Sequence, residues 1–202
     1  LNALAQARSQ GDLGSARRHA RDRSLLLLGF WRGFRSDELT RLQIEHITLT
    51  PGEGLSCYLP RSKADRHNLG QRFDCPALSR LCPVEALQAW FELSGLRSGP
   101  LYRGIDQWGH VAPEGMAAAS IGPLLQRLLR QAGVAEIEGF SSHSLRRGFA
   151  TWARDAGWDV KELMAYVGWK DIKSAMRYLD LSQRNLQSRF EQSLAVEGQI
   201  RR

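Results

Sequence analysis

The sequence predicts a mainly helical α+β domain with one small antiparallel sheet, the fold class in which helices cover one face of a few strands. Apolar residues recur at helical spacing in several segments that begin at good capping residues. Two short runs, LSCYLP (55–60) and QRFDCP (71–76), have the composition of strands. The polar run between them, RSKADRHNLG, is typical of a hairpin loop.

Three helices are predicted in the first half. The first spans about residues 15–33 and is basic in its first part and apolar in its second. A short helix, SDELTRL, follows and begins at Ser36 or Asp37 as its cap. The segment CPVEALQAWFELSG predicts a third helix, with Pro83 in its first turn and Gly95 just past its end.

The second half predicts a Gly/Pro-rich crossing at 96–119 and then further helices. Ser120 is expected to cap the helix of IGPLLQRLLRQAG, and Ser142 the helix of HSLRRGFATWARDAG. Asp159 with Glu162 forms a capping box for VKELMAYVG, and Asp171 caps IKSAMRYLD. Two apolar stripes accompany these helices, one of Leu124, Leu125, Leu128 and Leu129 and one, in an amphipathic tail helix, of Leu186, Phe190 and Leu194.

Composition restricts the class of protein. The 202 residues are 43% apolar, which is enough for a buried core, and no run of 18 apolar residues occurs that could span a membrane. The cysteines Cys57, Cys75 and Cys82 are odd in number and lack metal-ligand spacing, so reduced thiols in the cytoplasm are expected. The chain opens on Leu1 without a leader, and we expect it to be part of a longer polypeptide.

The net charge of +7 favours a polyanionic partner. Five Arg or His residues lie within ARRHARDR (16–23), including Arg17, Arg18 and Arg21. Arg127 and Arg130 lie off the leucine stripe of their helix. Each group is interpreted either as a solvated face or as a set of phosphate contacts.

His143 and Arg146 are spaced so that they share one face of a helix near its first turn. Cations at that position oppose the helix dipole, so local stability favours an acid there instead. A phosphate held by the imidazole, the guanidinium and the helix N-terminus suits the pattern. An arginine paired with a buried carboxylate beside a core histidine remains the structural alternative.

Arg35 and Tyr178 are two further candidates. Arg35 stands where a helix entry usually has a cap or an acid, with Glu38 three residues on, and its alternative is an ordinary surface arginine. Ile172, Ala175, Met176 and Leu179 form one apolar side of their helix, and Tyr178 lies roughly 105° from its centre. This tyrosine is thus either a flanking core residue with a solvated hydroxyl or a functional group.

Together these segments resemble the tyrosine recombinase (phage integrase) family, in that family's order, from about Leu25 to Leu181. The stretch LLLLGFWRGFRSDELTRLQIEHI resembles the first arginine box, and RSKADR resembles the lysine segment. HSLRRGFAT matches the H-x-x-R box, and GWKDIKSAMRY matches the final box, in which Trp169 precedes the tyrosine by nine residues and replaces the more frequent histidine. CPVEALQAW is similar to a connecting helix of many integrases.

The resemblance implies a catalytic set and a reaction. Tyr178 attacks a DNA phosphodiester and forms a 3′-phosphotyrosine, with Lys63 as general acid for the leaving 5′-oxygen. Arg35 and Arg146 stabilise the transition state, His143 and Trp169 donate to it, and Glu38 orients the arginines. Arg→Lys at 35 or 146 is therefore not expected to be conservative, and no cofactor or metal is implied.

The resemblance also implies the organisation of the protein. A catalytic domain is expected over 1–181, with its lysine loop in a hairpin at about 55–76, and the separate N-terminal DNA-binding domain of the family is expected to be absent from this chain. The tail at 182–202 is expected to join subunits into a homotetramer on paired double-stranded DNA. Without DNA, a monomer or weak oligomer is expected. The alternative is that the tail packs on its own domain. The alternatives in function are a catalytically silent DNA-binding protein, a relaxing topoisomerase and a hairpin telomere resolvase. A cytoplasmic location at the bacterial nucleoid, without a membrane partner, follows from this interpretation.

Overall fold

The computed structural model describes residues 12–60 and 70–169 together with 172, 175 and 176. It divides into two units, Leu1–Ala150 and Thr151–Arg202. Helices, including one that passes from the first unit into the second, make up about half of the described residues, and two small antiparallel sheets accompany them. This confirms the predicted fold class. Within the residues described, no helix is both long and apolar enough to cross a membrane.

The helices of the chain follow the predicted order. Two predicted caps are displaced, because α2 has its N-cap at Arg35 instead of Ser36 or Asp37, and α5 begins at Ser144, one residue later than a cap at Ser142 requires. The bounds of the helices are α1 Leu13–Trp31, α2 Ser36–Thr40, α3 Pro83–Ser94, α4 Ile121–Gln131, α5 Ser144–Asp155 and α6 Val160–Val167. Single 3₁₀ turns lie at Ile44–His46, Ala118–Ser120 and Ile137–Gly139.

The first sheet has three strands in the order β1 (Ile47–Thr50), β2 (Gly54–Leu59) and β3 (Gln71–Pro76). The predicted pair is confirmed, with Leu59 opposite Gln71. The sequence analysis missed β1, whose pattern ITLT is short and only partly buried. A second hairpin, β4 (Arg103–Ile105) with β5 (Val111–Gly115), lies where a plain crossing was expected.

Helix α1 lies at the centre of the first unit, and its four consecutive leucines are all buried. Leu25 and Leu28 belong to the main core, which includes the sheet, α3 and the indole of Trp90. Leu26 packs instead with residues of α4 and α5, and Leu27 packs against Ala86 of α3. A helix that is apolar on every side is expected to be enclosed, and α1 is enclosed over this stretch.

The second unit contains the end of α5 and all of α6. The predicted capping box is confirmed, because Asp159 Oδ1 accepts from the Lys161 backbone N–H and Glu162 Oε2 accepts from that of Asp159. Gly168 ends α6 in the left-handed conformation, with φ 73°. Trp169 follows at once and is buried.

Candidate active site

Arg35 is positioned by the sharp exit from α1. Gly33 has φ 59°, a conformation that glycine adopts without strain, and its N–H donates to the Phe30 carbonyl. The Phe34 N–H then bonds the Gly29 carbonyl, which completes a helix-ending turn. The turn leaves Arg35 in extended conformation at the N-cap of α2, one residue before the predicted cap. A guanidinium accepts no hydrogen bond, so another side chain has to cap this helix.

Glu38 supplies that cap and binds two arginines. Its Oε2 accepts from the Arg35 backbone N–H at 2.8 Å, and its Oε1 lies 2.6 Å from Arg35 Nη1. The same Oε2 is 3.6 Å from Nη1 of Arg146. The side chain of Glu38 is only 5% exposed, whereas that of Arg35 is 31% exposed. One buried carboxylate therefore fixes the guanidinium groups of two helices, and Arg35 remains open to solvent.

Arg146 is fixed from a second direction as well. It is buried in the first part of α5, and its Nη1 donates to the Gly33 carbonyl at 2.7 Å. The glycine that ends α1 thus also anchors an arginine 113 residues away. The alternative to a phosphate site was an arginine paired with a buried carboxylate beside a core histidine. Arg146 does pair with a buried carboxylate, but His143 is exposed and is not a core histidine.

His143 lies in the turn immediately before α5. The helix begins at Ser144, and the Arg147 N–H donates to the His143 carbonyl at 3.0 Å, so the expected cap at Ser142 is corrected by one residue. Ser142 has another contact, because its carbonyl accepts from Ser36 Oγ at 2.9 Å. Ser120 is the N-cap residue of α4, at the predicted position. It makes no side-chain cap bond.

A cavity of about 690 Å³ opens between α2, the N-terminal turn of α4 and the turn before α5. Both Arg35 and His143 line it, whereas Glu38 and Arg146 are not part of its wall. Asp37 also lines it and is paired with Arg41 at 3.1 Å. The cavity thus presents an imidazole and a solvent-exposed guanidinium, which are groups suited to an anion. Its wall includes Arg35, Ser36, Asp37, Gly122, Gln126, Glu138, Phe140, Ser142 and His143.

Of the seven predicted catalytic residues, Arg35 and Arg146 each contact Glu38, and His143 shares the cavity with Arg35. Trp169 lies in the second unit, where its backbone N–H donates to the Met164 carbonyl. Lys63 and Tyr178 lie outside the described residues, as do the tail at 182–202 and Asp171. Their assignments stay predictions.

The predicted apolar side of the tyrosine helix is wrong in part. Ala175 is buried, but Ile172 is 58% exposed and Met176 is 41% exposed. The stripe was drawn from helical spacing, which identifies a common face but not whether that face is covered.

The basic cluster of α1 has a structural use. Arg17 donates to the carbonyls of Leu93 and Gly109, and Arg18 donates to that of Asp106. Arg21 is buried and pairs with Asp22 at 2.6 Å while it donates to the Arg103 carbonyl. The three side chains thus hold the β4–β5 hairpin against α1. This corrects the interpretation of Arg21 as an exposed phosphate contact, because its guanidinium is committed to the interior.

The two arginines of α4 differ from each other. Arg127 Nη2 is 3.0 Å from the buried carboxylate of Asp22, although the Arg127 side chain is 48% exposed. Arg130 is exposed in the last turn of the helix. A role in DNA binding stays a prediction for both.

Sequence analysis missed two contributors to the site, Gly33 and the hydroxyl of Ser36. A glycine after an apolar helix signalled only a helix end, and Ser36 was interpreted as a cap. Their actual roles depend on partners more than a hundred residues away, for which sequence spacing provides no signal.

Comparison with known proteins supports the same family. Residues 114–185 match the model of the phage integrase family. An integrase/recombinase XerD homolog from Selenomonas ruminantium is 32% identical over 162 residues, which are 79% of this chain and 47% of the relative. A tyrosine recombinase XerC from Pseudomonas putida is 27% identical over 180 residues, 85% of this chain and 52% of the relative. The chain thus spans about half the length of the curated relatives it matches.

Solved structures agree in fold. The XerH recombinase in a pre-cleavage complex with its difH substrate superposes with a TM-score of 0.65 and 20% identity, covering 88% of this chain and 46% of that one. The XerA recombinase superposes with a TM-score of 0.64 and 18% identity, covering 90% of this chain and 60% of that one. These likenesses show a shared fold, which is mainly helical with small antiparallel sheets. This chain belongs to the tyrosine recombinase (phage integrase) family.

Proposed function

We propose that the protein is a site-specific DNA recombinase that cuts and rejoins DNA strands through a 3′-phosphotyrosine. The observation that carries the proposal is the Glu38 carboxylate, which holds Arg35 and Arg146 together beside a cavity shared with His143. The assembly has one negative and two positive charges before His143 is counted. It therefore suits a ligand with a single negative charge, such as a phosphodiester.

The chemistry assigned to each residue follows from the charge of the transition state. Phosphoryl transfer places extra negative charge on the non-bridging oxygens, which guanidinium groups stabilise without a metal ion. The Tyr178 oxygen forms a bond to phosphorus and its proton passes to His143, while the bond from phosphorus to the 5′-oxygen of the DNA breaks and that oxygen takes a proton from Lys63. The phosphodiester energy stays in the new bond, so the second strand reseals the DNA without a nucleotide cofactor. His143 and Trp169 act as further donors.

The partner that we propose is double-stranded DNA, contacted at phosphates near the cavity. A homotetramer on two paired sites, joined by residues 182–202, is the assembly that the family resemblance implies. We also propose that the protein acts in the cytoplasm, at the nucleoid, because that is where a recombinase meets chromosomal or mobile DNA. We also propose that residues 1–181 act as the catalytic domain, with the lysine loop between β2 and β3.

A silent DNA-binding protein on the same fold is the second candidate, and a cleavage assay separates it from a recombinase. A nicked suicide DNA substrate traps the covalent intermediate because the short leaving strand diffuses away. Incubation with the intact protein is expected to give an adduct that survives a denaturing gel. Tyr178→Phe is expected to give none, since it lacks the attacking oxygen. An equal amount of adduct with this variant excludes the assigned nucleophile.

A further inference from the structure

We propose that Ser36 is a positioning residue for His143, through a bond between the two segments of the cavity. Ser36 Oγ donates to the Ser142 carbonyl at 2.9 Å, across 106 residues of sequence. Each partner is the immediate neighbour of a predicted catalytic residue, Arg35 in one segment and His143 in the other. The inference rests on the proposed function, because it explains how Arg35 and His143 of that site are held at a fixed distance from each other.

The bond between Ser36 and Ser142 is partly buried. Ser36 is 8% exposed, so water competes poorly for its hydroxyl, and a Ser142 carbonyl deprived of this donor loses a partner in a partly buried place. Both Ser36 and Ser142 also line the cavity. The hydroxyl is thus part of the wall and fixes the distance between two sides of it.

The turn that carries His143 depends on contacts of this kind. Its residues 140–143 precede α5 and belong to no strand or helix, although the His143 carbonyl accepts from the Arg147 N–H and the Ser141 N–H donates to Ser144 Oγ. Gln126 Nε2 donates to the Phe140 carbonyl at 2.7 Å and holds one end of the turn. Ser36 holds the other end, next to His143 itself. Loss of the Ser36 bond is therefore expected to move the imidazole relative to Arg35 before it affects the core.

A matched pair of variants tests this role. Ser36→Ala removes the donor, and Ser36→Thr keeps a hydroxyl in the same place. Thr40→Val is the control, because Thr40 Oγ1 donates to the Ser36 carbonyl within α2 and makes no bond to the His143 turn. In single-turnover cleavage with saturating protein, Ser36→Ala is expected to slow adduct formation roughly three- to tenfold, the size of one hydrogen bond. DNA affinity, Ser36→Thr and Thr40→Val are expected to stay within about twofold of wild type.

A second readout makes the test independent of cleavage. The imidazole proton resonances of His143, assigned with a His143→Gln variant, report its surroundings by NMR in the intact protein. They are expected to shift in Ser36→Ala and to remain in place in Thr40→Val. Unchanged His143 resonances in a folded Ser36→Ala protein overturn the proposal, as does an equal loss of cleavage in Thr40→Val. If the wild-type protein forms no adduct, the proposed function is contradicted. If the His143 resonances nevertheless shift in Ser36→Ala, the positioning role of Ser36 is still supported.

Discussion

Glu38 is the residue on which the geometry of the site depends most. Its buried carboxylate receives a backbone N–H and one guanidinium at hydrogen-bond distance, and a second guanidinium at 3.6 Å. Removal of one partner from a buried ionic cluster leaves an uncompensated charge, which is costly. Arg146 is the more affected of the two cations, because its side chain is 5% exposed whereas that of Arg35 is 31% exposed.

Glu38→Gln is therefore expected to lower the free energy of unfolding by about 3 kcal/mol and to slow DNA cleavage by at least about tenfold. The amide keeps an acceptor for the Arg35 N–H but no longer balances two cations. Urea denaturation measures the first effect and single-turnover cleavage the second. Asp37→Asn, at an exposed pair with Arg41, serves as the stability control and is expected to change it by no more than about 1 kcal/mol. Equal stability of Glu38→Gln and wild type contradicts the structural role of the carboxylate.

At this scale the sequence predicted the identities better than the contacts. Arg35, Glu38, His143 and Arg146 were named from motif order and from cations placed against helix dipoles. The carbonyl of Gly33 and the hydroxyl of Ser36 were not, because any residue has a carbonyl and a serine near a helix start is usually a cap.

The helices position these residues through close packing at Gly29. A Cβ built on Gly29 of α1 lies 2.9 Å from Leu145 Cδ1 and 3.2 Å from Leu39 Cδ2. Leu39 follows Glu38 in α2, and Leu145 precedes Arg146 in α5. Because Gly29 has no side chain, α1 can pack closely against α2 and α5 next to Glu38 and Arg146.

Gly29→Ala is expected to reduce cleavage by about tenfold while it changes stability by no more than about 2 kcal/mol. The added methyl group overpacks the contact, but a better helix propensity offsets part of that cost. The shifted leucines move Glu38 and Arg146 with them. Gly148→Ala is the comparison, because its Cβ meets the Phe30 ring at a looser 3.3 Å. Equal cleavage by wild type and Gly29→Ala shows that the leucines accommodate the methyl group without moving the site.

The elements themselves were predictable to different degrees. Helices with caps and apolar stripes, such as α3 with Pro83 at its start and Gly95 after its end, were found almost to the residue. Strands β1, β4 and β5 were not predicted, because they have three to five residues and mixed burial. An alternating pattern of that length does not distinguish a strand from a loop.

At the scale of the whole molecule, the positive charge has two uses. Arg17, Arg18 and Arg21 bond carbonyls of other elements and thereby join α1 to the β4–β5 hairpin. Arg130 lies exposed at the end of α4. A basic composition predicted a polyanionic partner, but it did not distinguish arginines that serve the fold from those that remain available to DNA.

This division predicts different effects for two substitutions of equal charge. Arg130→Gln is expected to weaken DNA binding and to reduce the slope of log affinity against log salt by about 0.9, since one phosphate contact is lost. Arg17→Gln is expected to lower the melting temperature by several degrees with little change in that slope, because it removes two hydrogen bonds to carbonyls. Fluorescence anisotropy over a salt series and thermal unfolding measure the two quantities. The reverse assignment of effects contradicts the division.

The central claim, that this family member transfers DNA strands through Tyr178, is tested most directly by the position of the covalent bond. Trypsin cleaves after Arg177 and Arg184, so Tyr178 stands first in the peptide YLDLSQR. After reaction with a suicide substrate and nuclease digestion, mass spectrometry is expected to find a nucleotide phosphate on that tyrosine. The modification is expected to be absent in Tyr178→Phe and strongly reduced in Arg146→Lys. A nucleotide attached to another residue, or an unmodified peptide from a protein that has cut the DNA, contradicts the claim.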